Sequence, residues 1–218
     1  MTNSIINLVN SKKYIIFDFD GVILDSVDIK TEAFATLYSE FGPEIVSKVV
    51  AHHKKNGGIS RFEKFKYYHK KFLNYYLSEI EIEILNRLFS NLVVEKIITA
   101  CEIPGVFNFI NDQFDSGKTC IINSATPQDE VIKIAQKRGI SEKFAAIFGS
   151  PATKFENLEK VKKQFNCSYT DMIFFGDALS DWQAASKVGV DFIGIGKENN
   201  IFTKGGYDCP CILNFENI

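Results

Sequence analysis

The sequence has little that would commit it to a membrane, to nucleic acid or to an oxidising compartment. Its apolar runs are no longer than a β-strand, well short of a bilayer span. Lys and Arg total 25 against 27 Asp and Glu, a formal net charge of -2. The basic surface that phosphate-backbone binding needs is therefore missing. The start, Met1-Thr2-Asn3-Ser4, lacks the basic residues that open a signal peptide, although residues 5–9 are mildly apolar. The cysteines (Cys101, Cys120, Cys167, Cys209 and Cys211) are odd in number and irregularly spaced, which fits reduced thiols in a cytoplasmic protein better than a disulfide framework. Cys209 and Cys211 flank a proline with no second pair and no histidine nearby, so a structural role is expected there. No repeat or low-complexity segment is present. What remains, at 218 residues and 45% apolar content, is a globular chain with room for a core domain and a modest insertion.

The pattern changes along the chain. From about residue 27 to 100 the apolar spacing is helical: Phe34, Leu37 and Phe41; Phe62, Phe65, Phe72 and Tyr76; Ile80, Ile84, Leu88 and Leu92. These stripes are expected to pack into a core, and the segment reads as an all-helical insertion. Elsewhere short apolar runs at 14–17, 119–122, 145–148, 172–175 and 192–195 alternate with helical segments near 106–116, 127–138, 155–164 and 179–188. That alternation predicts an α/β protein: a Rossmann-like parallel sheet with helices on both faces. Residues 1–25 and 101–218 would form this core, and 26–100 an inserted helical cap. Ligands of such sheets bind beyond the carboxyl ends of the strands, so the strand ends carry the functional argument.

The first run ends in Asp18-Phe19-Asp20-Gly21. In an extended segment Asp18 and Asp20 share one side and Phe19 takes the other. Two adjacent carboxylates call for a compensating cation, and magnesium is a suitable one. One carboxylate can attack phosphorus while the other handles a proton; Gly21 lets the backbone turn toward a phosphate. Taken alone, Asp-x-Asp after an apolar run is equally compatible with a solvated turn. The second run ends in Asn123-Ser124-Ala125-Thr126. The Ser124 hydroxyl and the amides after it suit phosphoryl oxygens, with Thr126 read as the N-cap of a helix that Pro127 begins; a plain cap is the competing reading. Lys154, just before a helix, can neutralise phosphate charge and restrain the first carboxylate. The fourth run closes in Gly176-Asp177-Ala178-Leu179-Ser180-Asp181. Asp177 is the natural magnesium ligand, and Asp181 a ligand through water or a partner of Lys154. Two acids at a helix start are the alternative.

Together, Asp18-Phe19-Asp20-Gly21-Val22, Ser124, Lys154 and Gly176-Asp177-x-x-x-Asp181 resemble the four ordered motifs of the haloacid dehalogenase superfamily. The insertion after the first motif looks like that family's first-type helical cap, near the phosphoglycolate phosphatase and beta-phosphoglucomutase branch. The resemblance implies Asp18 as nucleophile, Asp20 as acid/base, and Ser124 and Lys154 as phosphate ligands. It implies magnesium on Asp18, the Asp20 carbonyl and Asp177, with Asp181 in support. Asp20 also separates this chain from dehalogenases and phosphonatases, which lack it, and favours a phosphate ester with a poor leaving group. The stretch from His52 to Arg61 resembles a substrate-specificity loop in which Gly57 and Gly58 permit a tight turn and Arg61 meets an anionic or polyhydroxy substrate; an exposed cationic loop is the other reading. His52 and His53, with no carboxylate beside them, are a poor metal signal. The expectation is a phosphatase acting on a small phosphorylated metabolite through an aspartyl phosphate, as a monomer or weak dimer. A phosphomutase and a catalytically silent binding domain remain open.

Overall fold

The computed structural model describes residues 2–196, 201–207 and 209–218. The chain begins with helix α1 (Thr2–Asn10) and strand β1 (Tyr14–Phe17). Four helices follow: α2 (Val27–Leu37), α3 (Pro43–Lys55), α4 (Arg61–Phe72) and α5 (Glu79–Ile98). The rest alternates: α6 (Val106–Asp115), β2 (Thr119–Pro127), α7 (Gln128–Lys137), β3 (Ala146–Ser150), α8 (Lys154–Phe165), β4 (Met172–Gly176), α9 (Leu179–Val188), β5 (Asp191–Ile195), α10 (Ile201–Gly205) and β6 (Cys211–Ile212). The six strands form one sheet in the order β3-β2-β1-β4-β5-β6, and every pairing is parallel. No strand lies between α2 and α5, so the segment expected to be helical is helical. No helix among the described residues is long and apolar enough to cross a membrane.

Strand alternation divides the core in two. Ile15 and Phe17 face one side of the sheet, with Ile122, Phe175, Phe109 and α7's Val131 and Ile134. Tyr14 and Ile16 face the other, with Phe174, α8's Leu158 and Val161, and α9's Ala184 and Ala185. Burying these side chains on both faces is what makes the strands near-continuously apolar. The insertion's own core, built on Phe34, Phe65 and Phe89, is continuous with the first of these clusters. Ring centroids lie 4.5 Å apart for Phe34 and Phe89, and 6.0 Å for Phe34 and Phe65. Local signals fix the helix starts. Ser78 and Glu81 form a reciprocal capping box for α5, and Thr153 and Glu156 form one for α8.

Three expectations need correction. Ile80, Ile84 and Leu88 are 75%, 45% and 47% exposed, and α5 buries Ile82, Phe89, Val93 and Ile97 instead. This helix is apolar on two faces, so spacing alone chose the wrong one. Phe41 and Tyr76 are likewise exposed. Thr126 is not an N-cap. Strand β2 runs on to Pro127, and α7 starts at Gln128.

Candidate active site

Strand β1 sits between β2 and β4, with Phe17 in register with Ile122 and Phe175. Asp18 leaves the end of β1 beside the ends of both neighbours, the crevice position expected of such sheets. Its backbone N–H still donates to the Phe175 carbonyl at 2.9 Å, so the last ladder bond fixes the nucleophile candidate. Asp18 is 4% exposed. Oδ1 accepts from the Phe19 N–H at 2.6 Å, and Oδ2 takes the Lys154 ammonium at 2.6 Å. Phe19 is buried in the core, while Asp18 and Asp20 line one cavity beneath the helical insertion.

Asp20 is held by three side chains. Ser26 Oγ donates to Oδ1 at 2.6 Å, Thr126 Oγ1 donates to Oδ2 at 2.8 Å, and the Lys30 ammonium pairs with Oδ2. Lys30 also donates to Thr126 Oγ1 at 2.7 Å. Against the upward push of burial, Lys30, Ser26 and Thr126 keep the Asp20 carboxyl below its ordinary range. Gly21 has φ +79, and a Cβ there would overlap the Asp177 carboxylate. Glycine at this turn is thus a requirement of the close approach of Asp177.

Lys154 opens α8 and is 5% exposed between two carboxylates, Asp18 and Asp181. Burial alone would lower its pKa, but the two carboxylates raise it, so it stays an ammonium. Asp181 is fully buried and has both oxygens engaged, Oδ1 by Lys154 and Oδ2 by the Ala178 N–H at 3.0 Å. That makes it a partner of Lys154 first. Asp18, Asp177 and Asp181 nonetheless bring carboxylate oxygens within 4.8 Å of one another. Burial, then the neighbouring carboxylates, pushes Asp18 and Asp177 above the ordinary carboxylate range, and Lys154 alone opposes this. An all-oxygen, all-carboxylate donor set with surplus negative charge fits magnesium. Asp177 and Asp18 would hold it, Asp18 sharing its Oδ2 with Lys154.

Most expected residues converge on this edge. Gly57, Gly58, Arg61, Ala125 and Asp177 line the same cavity as Asp18 and Asp20. Ser124 is fully buried behind the lining, its hydroxyl accepting from the Thr126 N–H at 3.1 Å, so Ala125 and Thr126 form that part of the wall. Arg61 is not on an exposed cationic loop. It is 5% exposed and ion-paired with Glu130 of α7. Neither Cys209 nor Cys211 lines this cavity, and Cys101, Cys120, Cys167 and Cys211 form no disulfide.

Sequence reading missed Lys30, Lys64 and Glu130, which line the cavity; His53, read only as part of the His52–Arg61 stretch, lines it too. For Lys30 a signal existed, since Ser26 and Lys30 are one helical turn apart at the start of α2 and reach the same carboxylate. No local pattern marks Glu130 or Lys64, whose roles arise from packing of the insertion on the core.

The profile of a family described as haloacid dehalogenase-like hydrolase matches residues 15–195. No curated protein matches by sequence. Among solved structures, a beta-phosphoglucomutase from Clostridium difficile is 23% identical with a TM-score of 0.78, over 95% of this chain and 93% of that one. A predicted phosphoglycolate phosphatase from Haemophilus somnus is 16% identical with a TM-score of 0.72, over 94% and 95%. CbbY from Rhodobacter sphaeroides, solved in complex with xylulose-(1,5)bisphosphate, is 16% identical with a TM-score of 0.71, over 94% and 95%. At these identities the likeness is one of fold.

Proposed function

The chain belongs to the haloacid dehalogenase-like hydrolases, and from that premise we propose that it is a magnesium-dependent phosphatase of a small phosphorylated metabolite, working through an aspartyl phosphate. One observation carries the reading: a buried carboxylate, Asp18, clamped by a buried ammonium, Lys154, with a second carboxylate, Asp20, independently held on the same cavity wall. Asp18 Oδ attacks phosphorus and the ester bond to the leaving oxygen breaks. Asp20 protonates that oxygen, then takes a proton from the water that hydrolyses the acyl phosphate. The Ala125 and Thr126 segment and Lys154 face the phosphoryl group, while residues 26–100 act as the cap that covers it. Asp18 and Asp177, with Asp181 in support through Lys154, would hold magnesium, which would supply positive charge against the phosphoryl oxygens.

The test is Asp18→Asn assayed for phosphate release on a panel of phosphorylated metabolites, with and without magnesium. Loss of turnover with an unchanged melting profile is expected, as is loss of wild-type activity in chelator and its return with magnesium. Near-wild-type activity in the variant overturns the reading. Glucose phosphates as substrates separate hydrolysis from a mutase, which would yield the isomer without free phosphate.

A further inference from the structure

We propose that the outer face of α5 is a docking surface for a second copy of this chain. The two helices would pair antiparallel about a two-fold axis, through Ile80, Ile84 and Leu88, with Glu83 of each copy opposite Arg87 of the other.

Helix α5 is apolar on two faces. One carries Ile82, Phe89, Val93 and Ile97 and is buried. The other carries Ile80, Ile84 and Leu88, one turn apart along the helix, and all three are exposed. A helix that meets water on one side ordinarily puts polar residues there. Single exposed apolar side chains need no explanation, but three in one row form a continuous strip, which marks an interaction site. Covering the strip would remove from water the side chains that the lone chain leaves there. Phe89 lines the catalytic cavity and lies about 140° around the helix from Ile84. Pairing through the strip therefore leaves the site open.

The charges beside the strip identify the occupant. Glu79, Glu83, Arg87 and Asn91 form a second row at the same four-residue spacing, and Glu83 and Arg87 are both exposed. An acid one turn before a base is well placed to pair with it within the helix. These two do not pair. Glu83 accepts only from Asn86 Nδ2, at 3.5 Å, and Arg87 has no ion pair or hydrogen bond among the described residues. A two-fold axis level with Leu85, midway between them, lays this row against itself in reverse. Each Glu83 then meets the other copy's Arg87, so the pair is made twice, and Glu79 falls opposite Asn91. A parallel arrangement would instead set Glu83 and Arg87 against Glu81 and Leu85 on the opposite flank. The four-residue rows of both helices interdigitate in the commonest helix-packing class, with axes inclined by about 50°. A membrane surface would call for basic residues along the strip, and Glu79, Glu83 and Glu95 make this flank mostly acidic.

One helix pair lies at the small end of specific interfaces, so a dissociation constant on the order of 1–100 µM is expected. Sedimentation equilibrium of the full chain across that range should show a reversible monomer–dimer equilibrium. Ile84→Glu should remain monomeric throughout, with the melting temperature and p-nitrophenyl phosphate hydrolysis per chain of the wild type. Glu83→Arg and Arg87→Glu each turn two attractive contacts into repulsive ones, and each should weaken the dimer by about 10-fold or more. The double variant Glu83→Arg/Arg87→Glu restores both contacts in swapped form and should dimerise like the wild type. A mixture of the two single variants should form heterodimers in preference to either homodimer. The charge variants sit on exposed positions, so they test the pairing even if Ile84→Glu lowers stability. A wild-type chain that stays monomeric across the range overturns the proposal, whether or not it co-sediments with phosphatidylglycerol vesicles. So does a dimer untouched by Ile84→Glu, and so does a double variant that fails to recover.

Discussion

Lys30 holds Asp20. Its ammonium pairs with Oδ2 and also donates to Thr126 Oγ1, so a residue from the first helix of the insertion fixes the acid/base candidate against the end of β2. Lys30→Met should loosen Asp20 and lower kcat/KM for alkyl phosphates by roughly 10²-fold, the usual scale of one acid–base contribution. p-Nitrophenyl phosphate, whose leaving group needs no proton, should lose far less. kcat/KM reports only steps through the first phosphoryl transfer, which makes the contrast diagnostic. Equal losses on both substrates would mean that Lys30 acts on the fold or the phosphate, not on Asp20.

Lys154 bridges two buried carboxylates, and its removal would leave both without their cation. Taking one partner from such an arrangement typically costs about 3–5 kcal/mol. Lys154→Met should therefore melt earlier and release little phosphate. Magnesium should restore more stability to this variant than to wild type, because an ion bound only by the folded state stabilises by mass action and here meets uncompensated charge. Melting curves with and without magnesium decide this, and a variant indifferent to the ion would argue against a metal at Asp18 and Asp177.

Much of this architecture was legible in the sequence for a physical reason. Buried parallel strands must be apolar throughout, so residues 14–17 and 172–175 announce themselves, and a polar residue at their ends marks the ligand edge. Asp18, Asp20 and Asp177 could be read that way, and the structure places all three on one cavity wall. What could not be read was set by packing across the chain. Ile80, Ile84 and Leu88 show the same four-residue spacing as a buried stripe, but α5 carries a second apolar face, Ile82, Phe89, Val93 and Ile97, and only the fold selects between them. Glu130 looks like an acid at a helix start until the insertion brings Arg61 onto it. Ser124 and Ala125 were both expected at the phosphate, yet the turn of the chain buries Ser124 and presents Ala125.

Gly58 tests how closely the cap meets the core. A Cβ at this position would overlap Ser180 Oγ and approach Ala178 Cβ at 3.1 Å. Ser180 can rotate, so Gly58→Ala should be mild and be relieved further by Ser180→Ala. Gly58→Val cannot be accommodated by one rotamer change, and a small displacement of groups over a reacting centre can cost about 10²-fold. Its kcat/KM should fall on that scale while the melting temperature stays near wild type. A large loss of stability with no change in kcat/KM would place the contact outside the catalytic arrangement.

Lys64 gives the folded chain a pH signature. Burial, with Lys30 adding repulsion, lowers its pKa from an ordinary 10.5 to about 7, so between these values the unfolded chain holds a proton that the folded chain has released. Stability therefore rises with pH across that window, and the cost of burying the ammonium is greatest below about 7. Lys64→Met removes the titration along with the buried charge. Relative to wild type, the variant should be more stable at pH 7 by on the order of 2–4 kcal/mol, and that advantage should fade by pH 10. Urea unfolding of both proteins at the two pH values measures the difference, in which the other titrating groups cancel. An advantage that does not change with pH would show that Lys64 stays charged in the folded state, held by a partner stronger than His53 Nδ1 and the Gly57 carbonyl.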